Sequence, residues 1–391
     1  MPNCTCIPVD WRGRSAWRLS NGRIELTILT GGGNLADFRL CGSGINLLWT
    51  APWPTIDAYT FTEAEHGRYY GTGPAGRLLS GCTGHFVAAG YFGMPSDGEP
   101  DLPLHGEAAS ALWTVTQSSA GDDCAQIAME VSLPGVGLHL NRRVILAAEA
   151  AALSVSEQLS NKSSSPVDFQ WVQHAMFGAP LFSGPHAKLA LPAQAAITWP
   201  CGYEGHEVLE NNSEFVWPMA TTIDCKRLDL SRPFQREGTG FVASVLAADQ
   251  PDAYVAVTNT DLGMVAGYVY DRAVYPWIAL WEENRARTNA PWNGETQVRG
   301  VEFGNSPMPL GLEYARSHPE LLGTPTYRVL GPSERTVASY SLFAAPTDRA
   351  DITGIARQRA SVNVRYASGQ VLLIENSLFR DETAPWRSLA P

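Results

Sequence analysis

From residue 24 onward the chain repeats one rhythm. Apolar and polar positions alternate over a short run, a cluster of turn-forming residues interrupts, and the alternation resumes. RIELTILT (23–30), ALWTVTQ (111–117), AQIAMEVSL (125–133), LHLNRRVIL (138–146) and ALSVSEQLS (152–160) all show it. They are rich in β-branched and aromatic residues, and a period of two turns one side of each run toward an apolar interior, so each reads as a strand. The interruptions, TGGGN, PSDGEP, SSAGDD and NKSSSP, are turn chemistry. With 36 glycines and 27 prolines, few stretches are left long enough for a helix. Short helices are expected at 351–362 and 315–322.

Many short strands, each with one apolar face, bury those faces most simply as two sheets packed together. The pattern therefore predicts an all-β chain, a large antiparallel β-sandwich with few short helices. No internal repeat, low-complexity tract or Pro/Ser-rich linker divides it. One domain is expected over 1–391, with residues 1–18 an N-terminal extension and 346–391 a C-terminal extension packing on the sandwich.

Composition agrees with a sizeable core: 45% of residues are hydrophobic and 17% charged. The net charge is −11, and no cluster of Lys and Arg offers a track for phosphates, so nucleic acid is not an expected partner. No apolar run reaches bilayer length, and MPNCTCIPVD does not join a basic stretch to an apolar one. A cytoplasmic protein that does not engage a membrane is expected. The cysteines, at 4, 6, 41, 82, 124, 201 and 225, are odd in number and scattered, which argues against a disulfide framework. The CTC at 4–6 has no second pair to complete a zinc site. The sequons at Asn3, Asn161 and Asn211 carry no glycan in such a compartment.

Three islands break the strand pattern, and each contains a residue able to bind or move a proton. GRYYGTGPAGRLLSGCTGHF, followed by LPLHGEA, supplies Arg77 and His105. An arginine among glycines is more often a surface residue, whereas Leu-His-Gly sets an imidazole where an apolar strand turns. PVDFQWVQHAMFGAP places His174 at the end of a strand-like run beside Met176 and Phe177. A lone histidine there is more often a satisfied core residue than a catalyst. YPWIALWEENRARTNAPWNGETQVRGVEFGNSPMP (275–309) carries Trp277, Trp281, Glu282, Glu283, Trp292 and Glu302. Aromatic faces stack on the apolar faces of sugars and carboxylates accept hydrogen bonds from hydroxyls, so this mixture suits a carbohydrate. Glu302 lies on an apolar strand, where a carboxylate without a partner has a raised pKa and serves as a base near neutrality.

The order of the islands is more informative than any one of them. Gly-Arg, then LHGE, then LNRRVIL and LSVSEQLSNKSSSPVDFQWVQHAMFG, then GVEFGNSPMP resembles the aldose 1-epimerase family, the galactose mutarotase-like proteins, from about residue 20 to about 345. The resemblance implies a supersandwich with a sugar-binding cleft and a small-molecule carbohydrate as partner. A monomer or a homodimer is expected. Glu302 would be the base that takes the proton from the anomeric hydroxyl, and His174 the acid that protonates the ring oxygen. His105 would hydrogen-bond near that oxygen, and Arg77 would bind sugar hydroxyls. Trp281, Glu282 and Trp277 are the further substrate-binding candidates. No cofactor or metal is required. The family's H-x-Y-F-N is HAMFG here, with Met176 at the tyrosine position, and its LHGG is LHGE. Asp252, Asp261 and Asp271 are candidates for the hydroxyl-binding aspartate. Two alternatives stand beside the isomerase: a non-catalytic carbohydrate-binding protein, and a lyase, hydrolase or other isomerase on the same fold. In the latter, His105, His174, Glu302 and Glu282 would hold a divalent cation.

Overall fold

The computed structural model describes residues 4–96, 102–202, 205–247, 252–358 and 360–377. Two antiparallel sheets dominate it. The larger, twelve-stranded sheet runs in the order Thr5–Trp11, Arg14–Ser20, Ile24–Leu29, Leu35–Leu40, His85–Gly90, Val167–Gly178, Gln297–Gly304, Trp277–Asn284, Gly238–Leu246, Ala193–Thr198 and Glu214–Phe215, with Arg328–Leu330 paired to Val167–Gly178. The smaller, eight-stranded sheet runs Ala187–Ala190, Asp252–Asn259, Met264–Asp271, Arg335–Pro346, Ala152–Asn161, Leu138–Ala147, Cys124–Leu133 and Thr114–Ala120.

The alternation read from the sequence decides how the sheets meet. In Val167–Gly178, Phe169, Trp171, Ala175 and Phe177 point between the sheets, into a core shared with Leu153, Val155 and Tyr268. Met176 points the other way, into a second apolar cluster with Phe86, Trp277, Ala279 and Trp281. The outer face of the large sheet is therefore also covered, by the helices Glu63–Tyr70 and Gly73–Gly81 and by long loops bearing Trp49, Trp53 and Trp292. Burial on both faces explains why the strand reads as a nearly continuous apolar run.

Several expectations need correction. Within the segment 1–18, expected as an extension, Thr5–Trp11 is an edge strand of the large sheet and Arg14–Ser20 is the strand next to it. Residues 351–362, expected to be helical, begin a three-stranded sheet of Ile352–Arg357, Ser361–Tyr366 and Val371–Glu375. The apolar spacing of Ile352 and Ile355 mimics a helix. In the fold Ile355, Val362, Val364 and Ile374 instead cover Tyr254, Val269 and Phe343 on the back of the smaller sheet. The helix expected at 315–322 is displaced to Gly311–Ser317 and ends before Pro319, which cannot continue it. The helices at 63–70 and 73–81 were missed because glycines at 67, 71, 73, 76 and 81 obscure their period.

Candidate active site

Three neighbouring strands of the large sheet place one row of side chains on its outer face. Phe86 stands directly opposite His174, and His174 directly opposite Glu302. Because side chains alternate along a strand, this register sends all three the same way. The Nε2 of His174 lies 3.0 Å from Oε1 of Glu302. Glu302 is only 1% exposed and His174 6%. The imidazole stacks on Phe86 with ring centroids 4.2 Å apart and planes 19° apart, and Trp281 approaches its edge at 6.2 Å. The Glu302 carboxylate thus has an imidazole as its partner. His174 Nδ1 and Glu302 Oε2 have no hydrogen-bond partner among the described residues.

His105 completes the group, its ring centroid 5.5 Å from that of His174. It occupies the left-handed backbone region, at φ 65°. Reciprocal bonds hold it there: its backbone N–H donates to the Gly93 carbonyl at 2.9 Å, and the Gly93 N–H donates to its Nδ1 at 3.1 Å. Burial, reinforced by the neighbouring His174, pushes the His105 pKa well below the usual histidine value. The ring is then neutral at physiological pH. Since Nδ1 accepts a hydrogen bond, Nε2 carries the ring proton and is a donor. Gly106 is required beside it, because a Cβ there would lie 2.3 Å from the Ala89 carbonyl oxygen.

These groups line a cavity of about 440 Å³, a volume typical of small-molecule sites. One wall is the helix Gly73–Gly81 and its end, presenting Ala75, Leu78, Leu79 and Cys82. Phe241 and Trp281 line the sheet side, and Arg287, Thr288, Asn289, Trp292 and His206 supply the rest of the polar and aromatic lining. Arg287 lies 4.5 Å over the Trp292 ring and 5.4 Å over that of Trp281, with Nη1 3.1 Å from Glu283 Oε2. His206, Arg287, Thr288 and Asn289 were not anticipated. They sit in loops, where no periodicity indicates which way a side chain faces.

Of the candidates from sequence, His174, Glu302, His105 and Trp281 converge on this cavity. Trp277 lies four residues before Trp281, on the same side of the strand, but is fully buried, and its indole N–H donates to the Pro325 carbonyl at 2.7 Å, so it is a packing residue. Glu282 projects from the opposite face of its strand. There it pairs with Arg299, directly across the ladder, and accepts from the Phe234 N–H at 2.6 Å. Arg77 is half-buried on the helix Gly73–Gly81, off the face that 75, 78, 79 and 82 turn to the cavity. Asp252 and Asp271 belong to the smaller sheet and Asp261 to the turn that joins their strands, so none reaches the cavity. Of the candidate cation ligands, His105, His174 and Glu302 line the cavity and Glu282, the optional fourth, is turned away. Among the described residues no three His, Cys, Asp or Glu side chains gather with metal-binding geometry. No cysteine among the described residues is in a disulfide. No helix among them is long and apolar enough to cross a membrane.

The fold is an antiparallel β-sandwich similar to that of solved structures described as aldose 1-epimerase and galactose mutarotase-like proteins. A Klebsiella pneumoniae protein described as a candidate aldose 1-epimerase superposes with a TM-score of 0.60 at 16% identity, over 86% of this chain and 80% of its own. A galactose mutarotase-like protein from Clostridium acetobutylicum gives 0.57 at 12% identity, over 88% and 99%. A galactose mutarotase related enzyme from Lactobacillus acidophilus gives 0.55 at 14%, over 86% and 99%. The chain itself belongs to the family of a domain of unknown function, DUF4432, which it matches over residues 12–321. A local match, 34% identical over 82 residues, links 20% of the chain to the siroheme decarboxylase alpha subunit of Desulfovibrio desulfuricans and spans about half, 47%, of that protein.

Proposed function

We propose that this protein is a carbohydrate-active isomerase that interconverts the α and β anomers of an aldose. The observation that carries the reading is the buried His174–Glu302 pair in the cavity, 3.0 Å apart, with the neutral His105 beside it. Ring opening needs a proton removed from one oxygen and delivered to its neighbour, and an adjacent base and acid meet that need.

In this mechanism the sugar takes over the His174 N–H from the carboxylate. Glu302 accepts the proton of the anomeric hydroxyl as the C1 carbonyl forms. The bond from C1 to the ring oxygen breaks, and imidazolium His174 gives its proton to that oxygen. The C1–C2 bond rotates in the open aldehyde, and closure on the other face of C1 returns both protons to their donors. The Nε2–H of His105 hydrogen-bonds the ring oxygen or its neighbour, and Trp281 offers an aromatic face to the ring. The site is read without a cofactor, and the partner as a small carbohydrate.

One-dimensional exchange NMR on a panel of free aldoses tests this. Exchange between anomeric protons accelerated by the protein and abolished in Glu302→Gln supports the isomerase. Sugar-dependent shifts without accelerated exchange would replace it with a carbohydrate-binding role.

A further inference from the structure

The side of Val167–Gly178 turned away from the cavity carries a second polar assembly. Gln173 is fully buried there. Its amide donates to Glu157 Oε2 at 2.6 Å and to the Tyr275 hydroxyl at 3.1 Å, and its Oε1 lies 3.0 Å from His85 Nε2. Glu157 is in turn bound by Arg142 Nε at 2.6 Å, and both are 0% exposed. A carboxylate only accepts hydrogen bonds, which fixes the amide orientation and requires the proton of His85 to sit on Nε2. Burial and the nearby Arg142 hold the His85 pKa far below the usual value, so the ring is neutral.

Such a cluster is a poor device for stability, since an apolar core of equal volume serves as well or better than a buried ion pair. Its location is more telling. His85 and Gln173 belong to the two strands whose next residues, Phe86 and His174, stack on the opposite side of the sheet. The inner hydrogen bond spans the same pair of strands as the outer ring stack.

We propose that Gln173 is a positioning residue: through His85 on one side and Glu157 on the other, it holds the strands so that the His174 imidazole lies flat on Phe86 and in line with Glu302. The functional part of this proposal rests on the isomerase reading, whereas its geometric part does not.

The test uses Gln173→Leu and His85→Phe. The second keeps ring volume among the surrounding Tyr268, Phe303 and Tyr340, and so keeps the proposal testable if the first does not fold. Histidine ring carbon–proton correlation spectra report on the stack, with His174 assigned by the signal lost in His174→Gln. In the parent, the ring current of Phe86 shifts the His174 signals upfield. In both variants they are expected to move downfield. With an aldose that the parent epimerises, kcat should fall roughly 10- to 100-fold while KM stays within about twofold. Unmoved His174 signals in the folded variants, whatever their melting temperatures, would overturn the proposal. If the parent epimerises no aldose, the spectra alone decide, so failure of the isomerase reading is distinguishable from failure of this one.

Discussion

A Cβ placed on Gly300 would lie 2.6 Å from Oε1 of Glu302 and 3.3 Å from the Trp281 Cβ. The two residues are neighbours on one side of Gln297–Gly304, and the missing side chain is the space in which the carboxylate reaches His174. Gly300→Ala should therefore displace Glu302 and lower anomer exchange by roughly tenfold or more. Progress curves followed by NMR check this, and an unchanged rate in a folded variant would show that the contact does not matter.

The proposed acid and base roles predict a sharp pair of losses. Glu302→Gln and His174→Gln keep size and hydrogen-bonding capacity but cannot exchange protons in the same way. Each should slow anomer exchange by roughly 10²- to 10⁴-fold. Because the two act on one proton cycle, the double variant should be little slower than either single one. Rates multiplying fully in the double variant would mean independent roles.

Glu282 and Arg299 predict the opposite phenotype to that expected of a substrate ligand. Glu282→Ala leaves a buried guanidinium without its carboxylate, a loss of about 3–5 kcal/mol in unfolding free energy. Denaturant titration measures it, and KM for the sugar should be unaffected in whatever fraction remains folded.

The tryptophans separate in the same manner. Trp277→Phe removes the donor to the Pro325 carbonyl and should cost about 1–3 kcal/mol of stability without changing sugar affinity. Trp281→Ala should weaken sugar binding roughly three- to tenfold, the loss of one aromatic face. Calorimetric titration beside thermal melting distinguishes these outcomes.

Stability should also fall with acid in a defined direction. Burial depresses the folded pKa of both His85 and His105, so below about pH 6.5 the unfolded chain binds protons that the folded chain does not. Their contribution is fully present above that pH and declines as pH falls, by roughly 1.4 kcal/mol per unit for each histidine until its folded pKa is reached. In His85→Phe the acid-side slope should decrease by one proton's worth. An unchanged slope would mean that His85 titrates alike in both states.

The sequence alone determined that this is an all-β sandwich, because a period of two repeated between turn clusters has few other packed solutions. It also marked His174, Glu302 and His105, through the order of short motifs around them, and Trp281, through the mixture of aromatic and acidic residues at 275–309. It could not distinguish Trp281 from Trp277 or from Glu282. All three lie on one strand, and whether a residue meets a cavity, a packed loop or the opposite face depends on the cover above the sheet and on register with strands distant in sequence. Arg77 sits in a glycine-rich segment whose helical turn, invisible in composition, turns it away from the cavity. His206 and Arg287 enter it by loop paths that have no local code. Only the pairing of 86 with 174 and of 174 with 302 brought the imidazole and carboxylate within hydrogen-bonding distance. Such registers are set by long-range packing of whole strands, not by the residues that profit from them.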